Sequence, residues 1–121
     1  MITEKKQMGD SGELIARNFI TSLKYNIRDT NWRYGHLEID IIAENADFII
    51  FCEVKTRSSK VFQEPYEAVN LQKQRNMIKA ANHYMNKHNL KKEVRFDIIS
   101  IVLQNNSPQI EHIPAAFSPR W

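Results

Sequence analysis

The 121-residue chain has a single cysteine, Cys52, and so has no internal disulfide. That excludes a disulfide-stapled secreted module, and a reducing, cytoplasmic setting is expected. Long hydrophobic runs are also lacking. The apolar stretches are strand-sized, and the opening MITEKKQMGDSGELIA carries charges throughout, a pattern of neither a signal peptide nor a membrane anchor. There is no internal repeat, no low-complexity tract and no Gly/Ser linker, so one domain over residues 1–121 is expected. With 42% hydrophobic residues, such a chain can bury roughly two thirds of its unfolded surface in one core. His36, His83, His88 and His112 have no metal-ligand spacing with a second His or Cys.

Positive charge is in slight excess. The net charge is +3 and the pI is near 9.1. Basic residues bunch at Lys55, Arg57 and Lys60, then Lys73, Arg75 and Lys79, then Lys91, Lys92 and Arg95. This balance suits a polyanion partner, but from charge alone a mildly basic solvated surface is the commoner meaning.

Apolar spacing at Leu14, Ile15, Phe19, Ile20 and Leu23 predicts a helix ending near Tyr25, with Gly9 and Gly12 leaving its start unfixed. YNIRDTNWRY mixes β-formers with polar residues. LEIDIIA alternates Leu37, Ile39 and Ile41 against Glu38, Asp40 and Ile42, the pattern of a half-buried strand. A polar turn at Glu44, Asn45, Ala46 and Asp47 leads straight into FIIFCEVK, too short a connection for anything but an antiparallel hairpin. After a loop holding Ser58, Ser59 and Pro65, the stripe Val69, Met77, Ile78, Ala81, Tyr84 and Met85 predicts a second helix ending near His88 or Asn89. VRFDIISIVL reads as a strand, followed by a turn at Asn105, Asn106, Ser107 and Pro108 and a short last strand, IEHI. The order is α-β-β-β-α-β-β, an α/β class with a mixed sheet flanked by helices. The second helix is a crossover that makes the strands on either side of it parallel neighbours.

Within IIFCEVKTR, Glu53 and Lys55 lie two residues apart and share a strand face. A central strand excludes such charges unless they are paired or used. Glu38 and Asp40 share a face of the preceding strand, and the hairpin brings the strands together. A turn centred between Asn45 and Ala46 sets Asp40 across from Phe51 and diagonal to Glu53, about 7 Å away; a two-position shift sets Asp40 directly opposite Glu53. Converging carboxylates repel unless a cation intervenes, and hard oxygen ligands select Mg²⁺ or Mn²⁺ over zinc. Lys55 beside such an ion is placed to orient a water or to stabilise charge on a phosphate oxygen. A Glu53–Lys55 salt bridge on a solvated face is the plain alternative.

The segments SGELIARNFI, LEIDIIAENADFIIFCEVKTRSS, EPYEAVNLQKQRNMIKAANHYM and VRFDIISI occur in the order and spacing of the YraN family of predicted endonucleases, which the chain resembles over nearly its whole length. The resemblance implies a restriction-endonuclease-like core whose hairpin carries a D…E-x-K signature at Asp40, Glu53 and Lys55, with a further acid from the first helix at Glu13. It also implies catalytic and metal-ligand roles for Asp40, Glu53 and Glu13, with Lys55 catalytic, and a Mg²⁺ or Mn²⁺ cofactor. A more distant similarity to archaeal Holliday-junction resolvases points to DNA, branched or repair intermediates included. Where such sequences read Gly-Glu-Ile-Asp, this one has Leu37 before Glu38-Ile39-Asp40.

Lys73 and Arg75 on the second helix suit phosphate contacts, and Arg57 with Ser58 and Ser59 follows the hairpin where a nucleic-acid backbone would pass. Trp32, Trp121 and Tyr66 suit either base stacking or packing. Cys52 is expected in the core, and Asp97 is expected to take a hydrogen bond from a neighbouring element. A homodimer is compatible with this reading. The rivals are a non-catalytic nucleic-acid-binding module with the same fold and an ordinary salt-bridged structural protein.

Overall fold

The computed structural model describes residues 4–58, 69–104 and 107–119, with the side chains of residues 4–8 left aside. Ser59, Lys60, Pro65, Tyr66, Asn105, Asn106 and Trp121 lie outside the described residues. The elements are α1 (Glu4–Ser22), β1 (Asn26–Tyr34), β2 (Leu37–Glu44), β3 (Phe48–Ser58), α2 (Leu71–Lys87), β4 (Glu93–Leu103) and β5 (Gln109–Phe117). The order is the expected α-β-β-β-α-β-β. The strands form one sheet in the order β1-β2-β3-β4-β5. Only β3 and β4, joined through α2, are parallel; the other neighbours are antiparallel. No helix among the described residues is long and apolar enough to cross a membrane.

The helices cover opposite faces. Ala16 and Ile20 of α1 pack with Ile41, Ala43, Ile50, Cys52, Ile99 and Ile101. Met77, Ala80, Ala81, Tyr84 and Met85 of α2 pack with Ile42, Ile49, Phe51, Phe96 and Ile98. The β3 residues Ile49, Ile50, Phe51 and Cys52 are all fully buried, as a strand covered on both faces must be.

Several expectations are corrected, each for a local reason. The first helix ends at Ser22 rather than near Tyr25, because Lys24 takes a left-handed conformation (φ 67°) and closes the end with Lys24 N–H on the Thr21 carbonyl and Tyr25 N–H on the Ile20 carbonyl. That double cap usually recruits glycine. The helix also runs unbroken through Gly9 and Gly12. At Gly12 a β-carbon would lie 2.7 Å from Thr56 Cβ and 2.8 Å from its Cγ2, so the glycine lets α1 press directly on β3. The last strand extends well beyond IEHI, through Pro114 to Phe117; as an edge strand it tolerates a residue without an N–H.

The hairpin register is the two-position alternative. Asn45 Oδ1 accepts hydrogen bonds from the N–H groups of Asp47 (2.9 Å) and Phe48 (2.8 Å), and Asn45 N–H donates to the Phe48 carbonyl. This side-chain turn leaves Ala46 and Asp47 at the tip and fixes Glu44 opposite Ile49 and Ile41 opposite Cys52. Continued by one residue, the register puts Asp40 opposite Glu53.

Candidate metal and nucleic-acid site

At Asp40 the sheet changes character. The β2–β3 ladder stops at Ile41–Cys52, and the next β3 amide, that of Val54, donates to the Asp40 carboxylate instead (2.8 Å to Oδ2). A side chain thus replaces a main-chain partner where the strands part. On the other side of β2, Thr30 pairs with Ile41 and Trp32 with Ile39, so Asn31 sits level with Asp40; it has φ 50°, a left-handed conformation that asparagine tolerates better than most residues. Strict alternation fails at this level. Ile41 packs on the α1 side, whereas Ile39 packs on the α2 side. The expectation that Glu38 and Asp40 simply share a face is therefore replaced by a kink with Asp40 at its centre.

The predicted D…E-x-K residues come together. Asp40, Glu53 and Lys55 line one cleft of about 300 Å³ with Glu13 and Gly9 from α1 and Val54 and Thr56 from β3. Gly12 explains how Glu13 gets there, since the close approach at Thr56 carries the neighbouring turn of α1 to the mouth of the cleft. Burial, then the like charge of Glu53, pushes the Asp40 carboxyl up to about 7, while the Val54 amide and Lys73 act against them. Glu53 is raised too, again by burial first, with Lys73 and then Lys55 opposing. The charge of Glu53 thus disfavours that of Asp40, whereas a hydrogen bond with Asp40 favours the Glu53 carboxylate.

Lys73 reaches this pair from α2. Its Nζ lies 3.3 Å from Glu53 Oε2, with the lysine side chain 38% exposed and the glutamate 14%. The contact is an ion pair by distance but lacks hydrogen-bond alignment, so Glu53 Oε2 is buried with no hydrogen bond among the described residues. The sequence points to Lys73 as a phosphate contact only. A partner many residues away in the chain leaves no local signal.

Asn31 and Glu38 also belong to the neighbourhood, and sequence reading assigned Asn31 no role. With its amide nitrogen turned inward, the orientation that matches donors to acceptors, Asn31 donates to Glu13 Oε1 (3.2 Å) and Glu38 Oε1 (3.0 Å). Glu38 is further paired with Arg33 at 3.2 Å. Among the described residues no three His, Cys, Asp or Glu side chains gather into a ready-made metal group, so Glu13 lines the cleft without closing a three-carboxylate cage.

The phosphate-contact candidates separate. Arg75 is exposed on α2, a helix that carries Lys73, Arg75, Lys79 and Lys87 and no acidic residue. Arg57 is only 8% exposed, which places it inside the fold rather than on its surface. Trp32 packs edge-on to Tyr84 at 5.1 Å and lies over His83 at 6.1 Å. Cys52 is fully buried, as expected.

The chain matches the family described as Uncharacterised protein family UPF0102 over residues 12–101. It is 40% identical over 118 residues to a UPF0102 protein of Bacteroides thetaiotaomicron, spanning 98% of each chain. It is 42% identical over 118 residues to a UPF0102 protein of Geobacter metallireducens, spanning 97% of each. With a UPF0102 protein of Myxococcus xanthus it shares 36% identity over 115 residues, covering 94% of this chain and 91% of the other.

Proposed function

The chain belongs to the UPF0102 (YraN) family, and from that premise we propose that it is a cytoplasmic, metal-dependent nuclease that hydrolyses phosphodiester bonds of DNA, branched or repair intermediates being the candidate substrates. The observation that carries this reading is the pairing of Asp40 and Glu53, two part-buried acids facing one cleft with too few donors to hold both charges. A divalent cation is the partner such a pair lacks. Two carboxylates, with water and phosphate oxygens completing the shell, suit Mg²⁺ or Mn²⁺.

Asp40 and Glu53 would hold the ion, which supplies an activated water and neutralises charge on the phosphate when bound. The Val54 amide fixes the Asp40 carboxylate by binding Oδ2. Lys55, exposed at the cleft, offers its ammonium to the negative charge that builds on a non-bridging oxygen. Glu13, which accepts a hydrogen bond from Asn31, would orient a water. The acid-free surface of α2 provides sequence-independent attraction for the nucleic-acid backbone.

One observation favours a non-catalytic binding module: Lys73 already offsets Glu53 without any metal. Cleavage assays on supercoiled and four-way-junction DNA with Mg²⁺ or Mn²⁺ separate the readings. The nuclease reading expects metal-dependent cuts that Asp40→Asn and Lys55→Ala each reduce by about a hundredfold or more. Cutting that Asp40→Asn leaves intact, or DNA binding with no cutting under any divalent metal, would refute it.

A further inference from the structure

Lys73 raises a question that the nuclease reading does not answer. Its ammonium stands 3.3 Å from Oε2 of Glu53, a carboxylate that a divalent ion would need. Resting on the nuclease reading, we propose that Lys73 and the divalent ion are alternative partners of Glu53, and that a nucleic-acid phosphate couples DNA binding to metal binding by drawing Lys73 away.

The two cations are poorly compatible on one carboxylate. A coordinated dication needs lone pairs of the Glu53 carboxylate, and an ammonium held against the same group repels it at short range in a partly dry site. Lys73 is also loosely held. Its main chain is fixed in the first turn of α2, where its N–H donates to the capping side chain of Asn70 at 2.9 Å, so only the flexible stem needs to move. The ion pair lacks hydrogen-bond alignment, and the ammonium is the more exposed partner.

Room to move lies alongside. Lys73 also lines a groove of about 170 Å³ with His36, Leu37, Glu38, Asn76 and Met77, so its head group can leave Glu53 without disturbing the core. A phosphate entering along α2 gives the ammonium a new anionic partner. Without DNA, Lys73 neutralises Glu53 and weakens metal binding; with DNA, the metal site is released. Linkage makes the effect reciprocal: DNA tightens metal binding by the factor by which metal tightens DNA binding.

Calorimetric Mn²⁺ titrations test this, run with and without a cleavage-resistant phosphorothioate duplex, on the parent, Lys73→Met, Lys79→Met and Asp40→Asn. Lys79 is an exposed cation of the same helix and controls for loss of charge. Melting in EDTA first confirms that each variant is folded. Lys73→Met should bind Mn²⁺ about tenfold tighter than the parent without DNA, and Lys79→Met should stay within about twofold. The duplex should tighten Mn²⁺ binding about tenfold in the parent and less than about threefold in Lys73→Met. If Lys73→Met binds no tighter than Lys79→Met, or keeps the parent's full coupling, the proposal is wrong and the nuclease reading survives. If the parent binds Mn²⁺ no better than Asp40→Asn, the nuclease reading fails and takes the proposal with it.

Discussion

Two aspartates flank β3 in this sheet, one part-buried on β2 and one fully buried on β4, and they are treated in opposite ways. Asp97 on β4 is fully buried and amply supplied. Its Oδ1 accepts from Arg95 Nε at 2.9 Å and from the Ala115 N–H at 3.1 Å, while its Oδ2 accepts from Arg95 Nη2 at 2.9 Å and lies 2.7 Å from His112 Nε2. Burial pushes its carboxyl up, but the bonds from His112, Arg95 and Ala115 outweigh that and hold it below its ordinary value. Asp40 on β2 has the Val54 amide on one oxygen and the like charge of Glu53 beside it, and it is pushed up to about 7. Desolvation is common to both. The supply of donors distinguishes an acid that holds the fold together from one that, on the proposed reading, is left poised for a cation.

The largest expected effect lies on the Asp97 side. Asp97→Ala strands Arg95, which is 13% exposed, and His112, which is 14% exposed, without their shared carboxylate. Breaking a buried pair in this way should cost about 3–5 kcal/mol in chemical denaturation, with no dependence on divalent metal. A loss below about 1 kcal/mol would mean that the two acids are not opposites.

The pH dependence of stability should differ in sign. In EDTA, the raised carboxyl of Asp40 holds a proton that the unfolded chain has already released, so its contribution to stability falls as pH rises from about 4 through about 7. Asp97, held low, stabilises at neutral pH, and that contribution is lost as pH falls through and below the ordinary carboxylate range. Melting curves from pH 4 to 8 should show the parent losing on the order of 2 kcal/mol between about pH 5 and about pH 7, and Asp40→Asn should flatten that loss. A parent curve that rises through the same interval would contradict the assignment.

Gly12→Ala should cost about 1–2 kcal/mol by forcing α1 off Thr56. It should also weaken Mn²⁺ binding, because Glu13 moves with the helix; a variant with parent-like metal affinity would show that Glu13 has no part in the site. The smallest effect is expected at Arg75. Arg75→Glu should weaken DNA binding equally for all sequences and reduce the slope of log affinity against log salt by about 1, as the loss of one phosphate contact does. An unchanged slope would make that face of α2 merely solvated.

Much of this comparison was legible in the sequence. The element order, the hairpin, the parallel crossover and the gathering of Asp40, Glu53 and Lys55 follow from apolar periodicity, short connections and the family resemblance. The rest depended on features without a periodic signature. The register was set by the side chain of Asn45, which shifted the turn tip by one residue. The kink at Asp40 required left-handed Asn31, and the end of α1 required left-handed Lys24, at positions where composition alone suggests nothing unusual. The role of Gly12 became visible only against Thr56. Lys73 on Glu53 and Arg95 with His112 on Asp97 are meetings across the fold, and Arg57, basic and beside the hairpin, turned inward.

The central claim, that Asp40 and Glu53 are gathered for a divalent cation rather than for each other's packing, is tested most directly by thermal melts of the parent and Asp40→Asn in EDTA and in Mn²⁺. The account predicts that Asp40→Asn melts at the parent's temperature or higher in EDTA, because one of two mutually repelling charges is gone. It also predicts that Mn²⁺ raises the melting temperature of the parent but not of the variant, because preferential binding to the native state requires the intact pair. A variant that melts lower than the parent by the same margin in EDTA and in Mn²⁺ would contradict the account and place Asp40 beside Asp97 as a structural acid.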